Sequence, residues 1–200
     1  MKTLICIGDS LTEGPDMPAG QTWPELVGNA LDVDVVNCGI GGDTTAGMLA
    51  RFHPAVTVPK PTFVLIMGGT NDLWWGLEIS VILANLFSMV VQARHHGIAP
   101  VLALPLPVNI DLAGSSDFSP PLGGYDCFND RLQELIRRIP RHATESEAAL
   151  VDLYRPFVSQ DGKINSSLYL PDGLHPNKKG HQTIAADVAQ AFYQNFLFRT

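Results

Sequence analysis

The sequence predicts an α/β domain in which a parallel sheet carries helices on both faces. Three observations lead there. Five short apolar runs recur along the chain, each nearly continuous rather than alternating, as in strands buried on both faces. Amphipathic stretches with helical spacing separate them. Polar, glycine-containing segments follow the runs, where loops leave the C-terminal edge of such a sheet and where function gathers.

The run 4–7 is the first strand and meets Gly8-Asp9-Ser10-Leu11 at once. Residues 23–31 then place Trp23, Leu26, Val27 and Ala30 on one helical face. A second strand, 33–36, leads into Asn37-Cys38-Gly39-Ile40-Gly41-Gly42-Asp43-Thr44, with a helix over 44–52 behind it. The third strand, 63–67, runs into Gly68-Gly69-Thr70-Asn71-Asp72. The clearest helix covers 80–96, with Val81, Ile82, Leu86, Met89, Val90 and Ala93 as its apolar set and Gly97 as its stop. Strands four and five are 100–104 and 150–153. Residues 105–124, rich in proline, glycine and serine, form a loop long enough for a lid or a binding loop, with disorder as the alternative reading. A helix over 127–139 carries Leu132, Leu135, Ile136 and Ile139 on one side and should end at Pro140. The last helix, 177–198, buries Ile184, Ala185, Val188, Ala191 and Phe192. Neither a repeat nor a linker interrupts the order, so one domain over residues 1–200 is expected.

Composition narrows the function classes. Apolar residues make up 46% and charged residues 16%, a globular balance with net charge −7. An acidic surface disfavours nucleic-acid partners. The local exception, Arg131, Arg137, Arg138 and Arg141, has helical spacing and Glu134 among it, and reads as a solvated helix face. Cys6, Cys38 and Cys127 are odd in number and lack a C-x-x-C, against a disulfide framework or a zinc site. The first apolar run is too short for a signal peptide, and no run approaches a membrane span, so a cytoplasmic protein without a membrane anchor is expected. The oligomeric state is not legible in the sequence.

Each polar segment has a plain structural reading. Ser10-x-x-Glu13 is a capping-box pattern, Asp43 and Thr44 can cap the next helix, and Asn71-Asp72 and Asp172-Gly173 can be turns. Together they fit acyl transfer, which needs a nucleophile, a base, a group orienting that base, and donors for an oxyanion. Ser10 stands at a strand-to-helix turn. Among six histidines, His175 is the one flanked by turn residues with an acid three positions earlier, Asp172; His53, His95, His96, His142 and His181 fall in or at the ends of predicted helices. The Gly42 N–H and the Asn71 amide, beside the Ser10 N–H, can converge on one oxygen. A serine hydroxyl engaged in capping is not free to react, so the two readings of Ser10 compete.

G-D-S-L near the N-terminus, the glycine of G-G-D-T, the asparagine of G-T-N-D and D-G-L-H-P near the C-terminus resemble the four blocks of the GDSL, or SGNH, hydrolase family, in its order and across residues 8–176. The resemblance implies a flavodoxin-like three-layer α/β/α fold with a five-stranded parallel sheet. It also implies Ser10 as nucleophile, His175 as base, Asp172 as its partner, and Ser10, Gly42 and Asn71 as oxyanion donors. Gly41 is a rival to Gly42, but the G-D-T context favours Gly42. The expected activity is hydrolysis of carboxylic esters or thioesters through an acyl-enzyme, on a small ester, an acetylated sugar or a lysophospholipid. Asp9, Trp74, Trp75 and Leu106 are the substrate-binding candidates. Neither a metal nor an organic cofactor is expected. The competing class is a non-catalytic flavodoxin-like module binding a ligand or carbohydrate, which needs no serine within hydrogen-bond distance of a histidine.

Overall fold

The computed structural model describes residues 2–197. Its sheet has five parallel strands: β1 (Thr3–Gly8), β2 (Asp34–Gly39), β3 (Phe63–Met67), β4 (Ala99–Ala103) and β5 (Ala149–Val151), in the spatial order β2-β1-β3-β4-β5. That is the flavodoxin-like order. The chain reverses its direction of travel across the sheet between β1 and β3, which opens a crevice at their C-terminal ends.

Alternation along each strand divides the core. Ile5, Ile7, Val64 and Ile66 face a layer made by α3 (Thr45–Phe52), α5 (Ile79–His95) and α7 (Gly124–Glu145), numbered in chain order with the short α1 (Ser10–Glu13), α4 (Thr70–Trp74) and α6 (Ile110–Ala113). Leu4, Cys6, Phe63, Leu65 and Met67 face the other layer, α2 (Trp23–Leu31) and α8 (Lys178–Phe192). Helices on both faces are what the sequence pattern predicts. The continuous apolar runs hold for β1, β3 and β4.

Three expectations are corrected. The strand β2 is an edge strand, and its Val36 is exposed, so its apolar run does not mark burial on both faces. Pro140 does not end a helix: α7 continues to Glu145. Its packing holds it there, with Ile139 and Ala143 buried on either side of the proline, and tertiary burial outweighs the lost backbone bond. The capping role given to Ser10 belongs to Asp9, whose Oδ1 accepts the Leu11 N–H at 2.9 Å. The predicted end of the last helix, Phe198, lies outside the described residues; α8 ends at Phe192 and a π-helical turn, Tyr193–Leu197, follows. Arg137, Arg138 and Arg141 form the expected solvated face of α7, with exposed i,i+4 pairs Arg138–Glu134 (3.3 Å) and Arg141–Glu145 (2.7 Å). Arg131 does not: it is half-buried and its guanidinium donates to the Leu77 carbonyl.

One layer also fixes the first polar segment. Trp23 is fully buried, a side chain whose removal typically costs about 3–5 kcal/mol. Its Nε1–H donates to the Leu11 carbonyl at 2.8 Å, and its backbone N–H donates to His181 Nδ1 at 3.1 Å. Burial, helped by the nearby His175, pushes the His181 imidazole down to about 4, so the ring stays neutral and keeps Nδ1 as an acceptor. An unfolded chain protonates this ring near the ordinary value of 6.5, and the folded chain resists until about 4. Stability is therefore expected to fall as pH drops through that window. In His181→Asn, which keeps an acceptor and cannot titrate, urea midpoints measured between pH 7 and pH 4 should show a shallower decline.

Candidate active site

The crevice collects the polar segments. Ser10 opens α1 directly after β1, and Gly42 lies in the turn after β2. Asn71 sits in the first turn of α4 after β3, and His175 precedes α8. Gly42 takes φ +74°, open to glycine without strain, and a side chain added there would meet nothing within 4 Å. Gly41 faces the Glu13 carboxylate instead, and Gly42 is the one that lines the cavity.

An unbroken chain of hydrogen bonds links Asp172, His175 and Ser10. His175 Nε2 lies 2.9 Å from Ser10 Oγ, and Nδ1 lies 2.7 Å from Asp172 Oδ2. A carboxylate only accepts, so Nδ1 carries the proton and Nε2 is left to receive the serine O–H. Asp172 Oδ1 accepts the backbone N–H groups of Leu174 and His175 at 2.8 and 2.9 Å. Burial pushes its carboxyl up, but the donors from His175 and Leu174 outweigh it and hold the group below its ordinary value. The orienting group therefore stays ionised beside the ring.

Donors stand opposite. The N–H groups of Ser10 and Gly42 have no acceptor among the described residues. Asn71 Nδ2 gives one proton to the Asp43 carbonyl at 2.9 Å and keeps one. All three residues line one cavity of ≈ 480 Å³, together with His175 and Asp172. The arrangement can deprotonate the serine and receive negative charge on an oxygen placed among the donors.

The cavity walls are apolar. Leu106 and Val108 are buried, and with Pro107, Phe118 and Leu174 they line it. Trp74 and Trp75 both reach it, in different ways. Trp74 also packs edge-on against Phe128 and Tyr125, at centroid distances of 5.3 and 5.9 Å, while Trp75 is exposed. The 105–124 segment includes α6 and is tied to the rest of the chain at several points. Asn109 N–H donates to Gly173 O at 2.9 Å, Trp74 Nε1–H to Ser119 O at 3.1 Å, and Leu122 N–H to Trp74 O at 2.9 Å. It carries Phe118 to within 6.0 Å of the His175 ring, centroid to centroid. Sequence reasoning missed Phe118, because a lone aromatic among serines and prolines has no periodicity to mark it.

Two further residues differ from expectation. Thr44 caps α3 through its hydroxyl, but Asp43 turns away to pair with Arg51 at 2.7 Å. Asp72, expected in a turn, is buried and binds Thr45 through its backbone N–H (2.9 Å) and its hydroxyl, joining the second and third segments.

Fold and site together define a serine ester hydrolase of the three-layer α/β/α class. The chain belongs to the GDSL-like Lipase/Acylhydrolase family, whose model matches residues 6–183. It is 32% identical over 193 residues to an arylesterase of Vibrio mimicus, covering 94% of this chain and 86% of that protein. It is 27% identical over 187 residues to the thioesterase 1/protease 1/lysophospholipase L1 of Escherichia coli K12, covering 92% and 79%. Among solved structures, a GDSL-like lipase from Bacteroides thetaiotaomicron superposes with TM-score 0.78 at 26% identity, over 96% of this chain and 88% of that one.

Asp9 lines the cavity, yet its carboxyl is buried and serves as the cap of α1. Burial, opposed by the Leu11 N–H, pushes it up from 3.8 to about 7. The folded chain thus keeps a proton that the unfolded chain releases, and stability should fall as pH rises from about 4 to about 7. Asp9→Asn retains a capping oxygen and cannot ionise. Thermal melts of the two proteins should diverge in favour of Asp9→Asn as pH is raised from 4 to 8.

Proposed function

We propose that this chain hydrolyses small uncharged esters with compact apolar or aromatic groups, through an acyl-enzyme on Ser10. The observation that carries the reading is the continuous Asp172–His175–Ser10 chain opening into an apolar cavity beside unpaired N–H donors. His175 Nε2 takes the proton of Ser10 as Oγ attacks the carbonyl carbon. The carbonyl oxygen, now negative, is held by the Ser10 N–H, the Gly42 N–H and the free Asn71 amide proton. Asp172 stabilises the imidazolium without taking its proton. Collapse expels the alcohol, which receives the proton from His175. Water, deprotonated by the same nitrogen, then releases the acid and restores Ser10.

The substrate class follows from shape and charge. A cavity of ≈ 480 Å³ suits a small ligand. Trp74, Trp75 and Phe118 offer flat apolar contact with Leu106 beside them. Asp16 and Asp172 line the cavity together with the buried Asp9, which keeps its proton until about pH 7, and no lysine or arginine is among the lining residues. An anionic substrate, such as an acyl-CoA thioester or a lysophospholipid with an anionic headgroup, meets Asp16 and Asp172 and no counter-charge there. The arylesterase relative supports a neutral aromatic ester more than the thioesterase/lysophospholipase relative supports an anionic one, being the more similar of the two. Asp9 and Trp75 belong to this pocket in the proposal, Asp9 at its floor and Trp75 at its open rim.

Ser10→Ala should abolish turnover of p-nitrophenyl acetate, and Asn71→Ala should lower kcat by about 10²–10³ while leaving the melting temperature within a few degrees. Wild-type rates in Ser10→Ala would end the reading. With a matched acyl group, kcat/KM for a phenyl ester should exceed that for the CoA thioester by about tenfold or more at low salt, a gap that narrows as salt screens the carboxylates. Equal rates on both would refute the choice of substrate class.

A further inference from the structure

Arg51 does not line the cavity, yet it touches the ends of both strands that supply it. Its guanidinium donates from Nη2 to the carbonyl of Gly8 at 2.9 Å, from Nη1 to the carbonyl of Cys38 at 2.8 Å, and from Nε to Asp43 Oδ2 at 2.7 Å. Both side chains of the ion pair are largely withdrawn from solvent, with 20% and 12% of their surface exposed. A planar fork that meets three acceptors at once fixes their relative positions in a way a flexible ammonium cannot.

What hangs on those acceptors is the donor set. Asp43 follows Gly42 directly, and its N–H closes the turn onto Ile40 O at 3.1 Å. Its carbonyl takes one Asn71 Nδ2 proton at 2.9 Å, which sets the plane of the amide and therefore the direction of the other proton. Gly8 precedes the Asp9–Ser10 step. The three donors thus descend from backbone that one guanidinium holds together.

A glycine makes room for the pair. A Cβ on Gly47 would lie 1.9 Å from Asp43 Oδ1 and 3.0 Å from its Cγ. The Asp43 carboxylate occupies the place where an α3 side chain would stand, although alanine is the better helix former there.

We propose that Arg51, with Asp43 seated against Gly47, is a positioning residue for the oxyanion donors: it acts through Gly42 and Asn71 on the chemical step and does not contact substrate. The proposal rests on the reading of Ser10 and His175 given above. Arg51→Met keeps the stem and removes the fork. Its kcat on a neutral ester should fall by about 10–100-fold with KM within about threefold, and its affinity for a trifluoromethyl ketone, which mimics the tetrahedral species, should fall in parallel. The double variant Arg51→Met/Asn71→Ala should lose much less than the product of the two single losses, because the clamp acts through a donor already removed. Gly47→Ala strengthens the helix while its methyl displaces the carboxylate. The helix gain offsets part of the cost of parting the ion pair, so the protein should still fold cooperatively and lose kcat and inhibitor affinity together.

Wild-type kcat in a folded Arg51→Met protein, or losses that multiply with Asn71→Ala, would overturn the clamp. If Arg51→Met does not fold, Gly47→Ala decides: reduced kcat supports the proposal, unchanged kcat overturns it. The control separates the two levels. An active Ser10→Ala protein would remove the esterase reading and the clamp with it. An inactive one beside fully active Gly47→Ala and Arg51→Met would remove the clamp alone.

Discussion

The contact on which the site depends is the near touch between α1 and the ends of β1 and β2. A Cβ on Gly39 would lie 2.1 Å from the Glu13 nitrogen, and one on Gly8 would lie 2.1 Å from Thr12 Oγ1 and 2.8 Å from the Met67 carbonyl. Only bare backbone lets the short helix sit directly on the sheet edge. From that seat Ser10 is the first helical residue past the strand, and its hydroxyl turns toward the crevice while Asp9 does the capping. Trp23 and His181, from the layer behind, fasten the helix at Leu11. The sheet edge, one helical layer and the last helix thus agree on the place of a single oxygen.

Carboxylates around the crevice divide by environment. Asp9 and Asp72 are buried, and burial pushes both up, the first to about 7. Asp172 lies nearer solvent, is surrounded by donors, and is held below its ordinary value. The acid beside the imidazole is therefore the one kept charged, as the tautomer with Nε2 free requires. The buried pair have structural duties, at the cap of α1 and at the tie from α4 to Thr45. A local concentration of acids at one edge is thus not one electrostatic unit.

Much of this was legible in the residues, and the failures have physical causes. The strands β1, β3 and β4 and the helices α2, α3 and α5 are recorded in apolar spacing, because each must bury a stripe or two faces. Ser10, Gly42 and Asn71 were readable as neighbours because loops leave a parallel sheet at one edge, so segments far apart in the chain share a location. His175 follows no strand directly and was reached through its turn setting, the acid three positions earlier and the resemblance of D-G-L-H-P to a family block. The residues that bind to backbone rather than repeat at an interval were not readable. Arg51 presents as an ordinary polar residue late in α3, and nothing in its spacing shows three acceptors on other segments. Pro140 and the edge strand β2 misled for the opposite reason: a local rule applied where packing, or its absence, had the stronger influence.

The 105–124 segment occupies two places whose combination matters beyond the pocket's shape. It supplies Leu106, Pro107, Val108 and Phe118 to the cavity wall, and it is joined at Asn109 to Gly173, between Asp172 and His175. That junction is tight: a Cβ on Gly173 would stand 2.5 Å from the Asn109 carbonyl. In the proposed reaction, the wall that selects the substrate and the turn that holds the base are consequently mechanical neighbours. Under that proposal, grafting another segment here to reshape the pocket would also tug on the turn that carries His175, unless the Asn109–Gly173 seam stays in register.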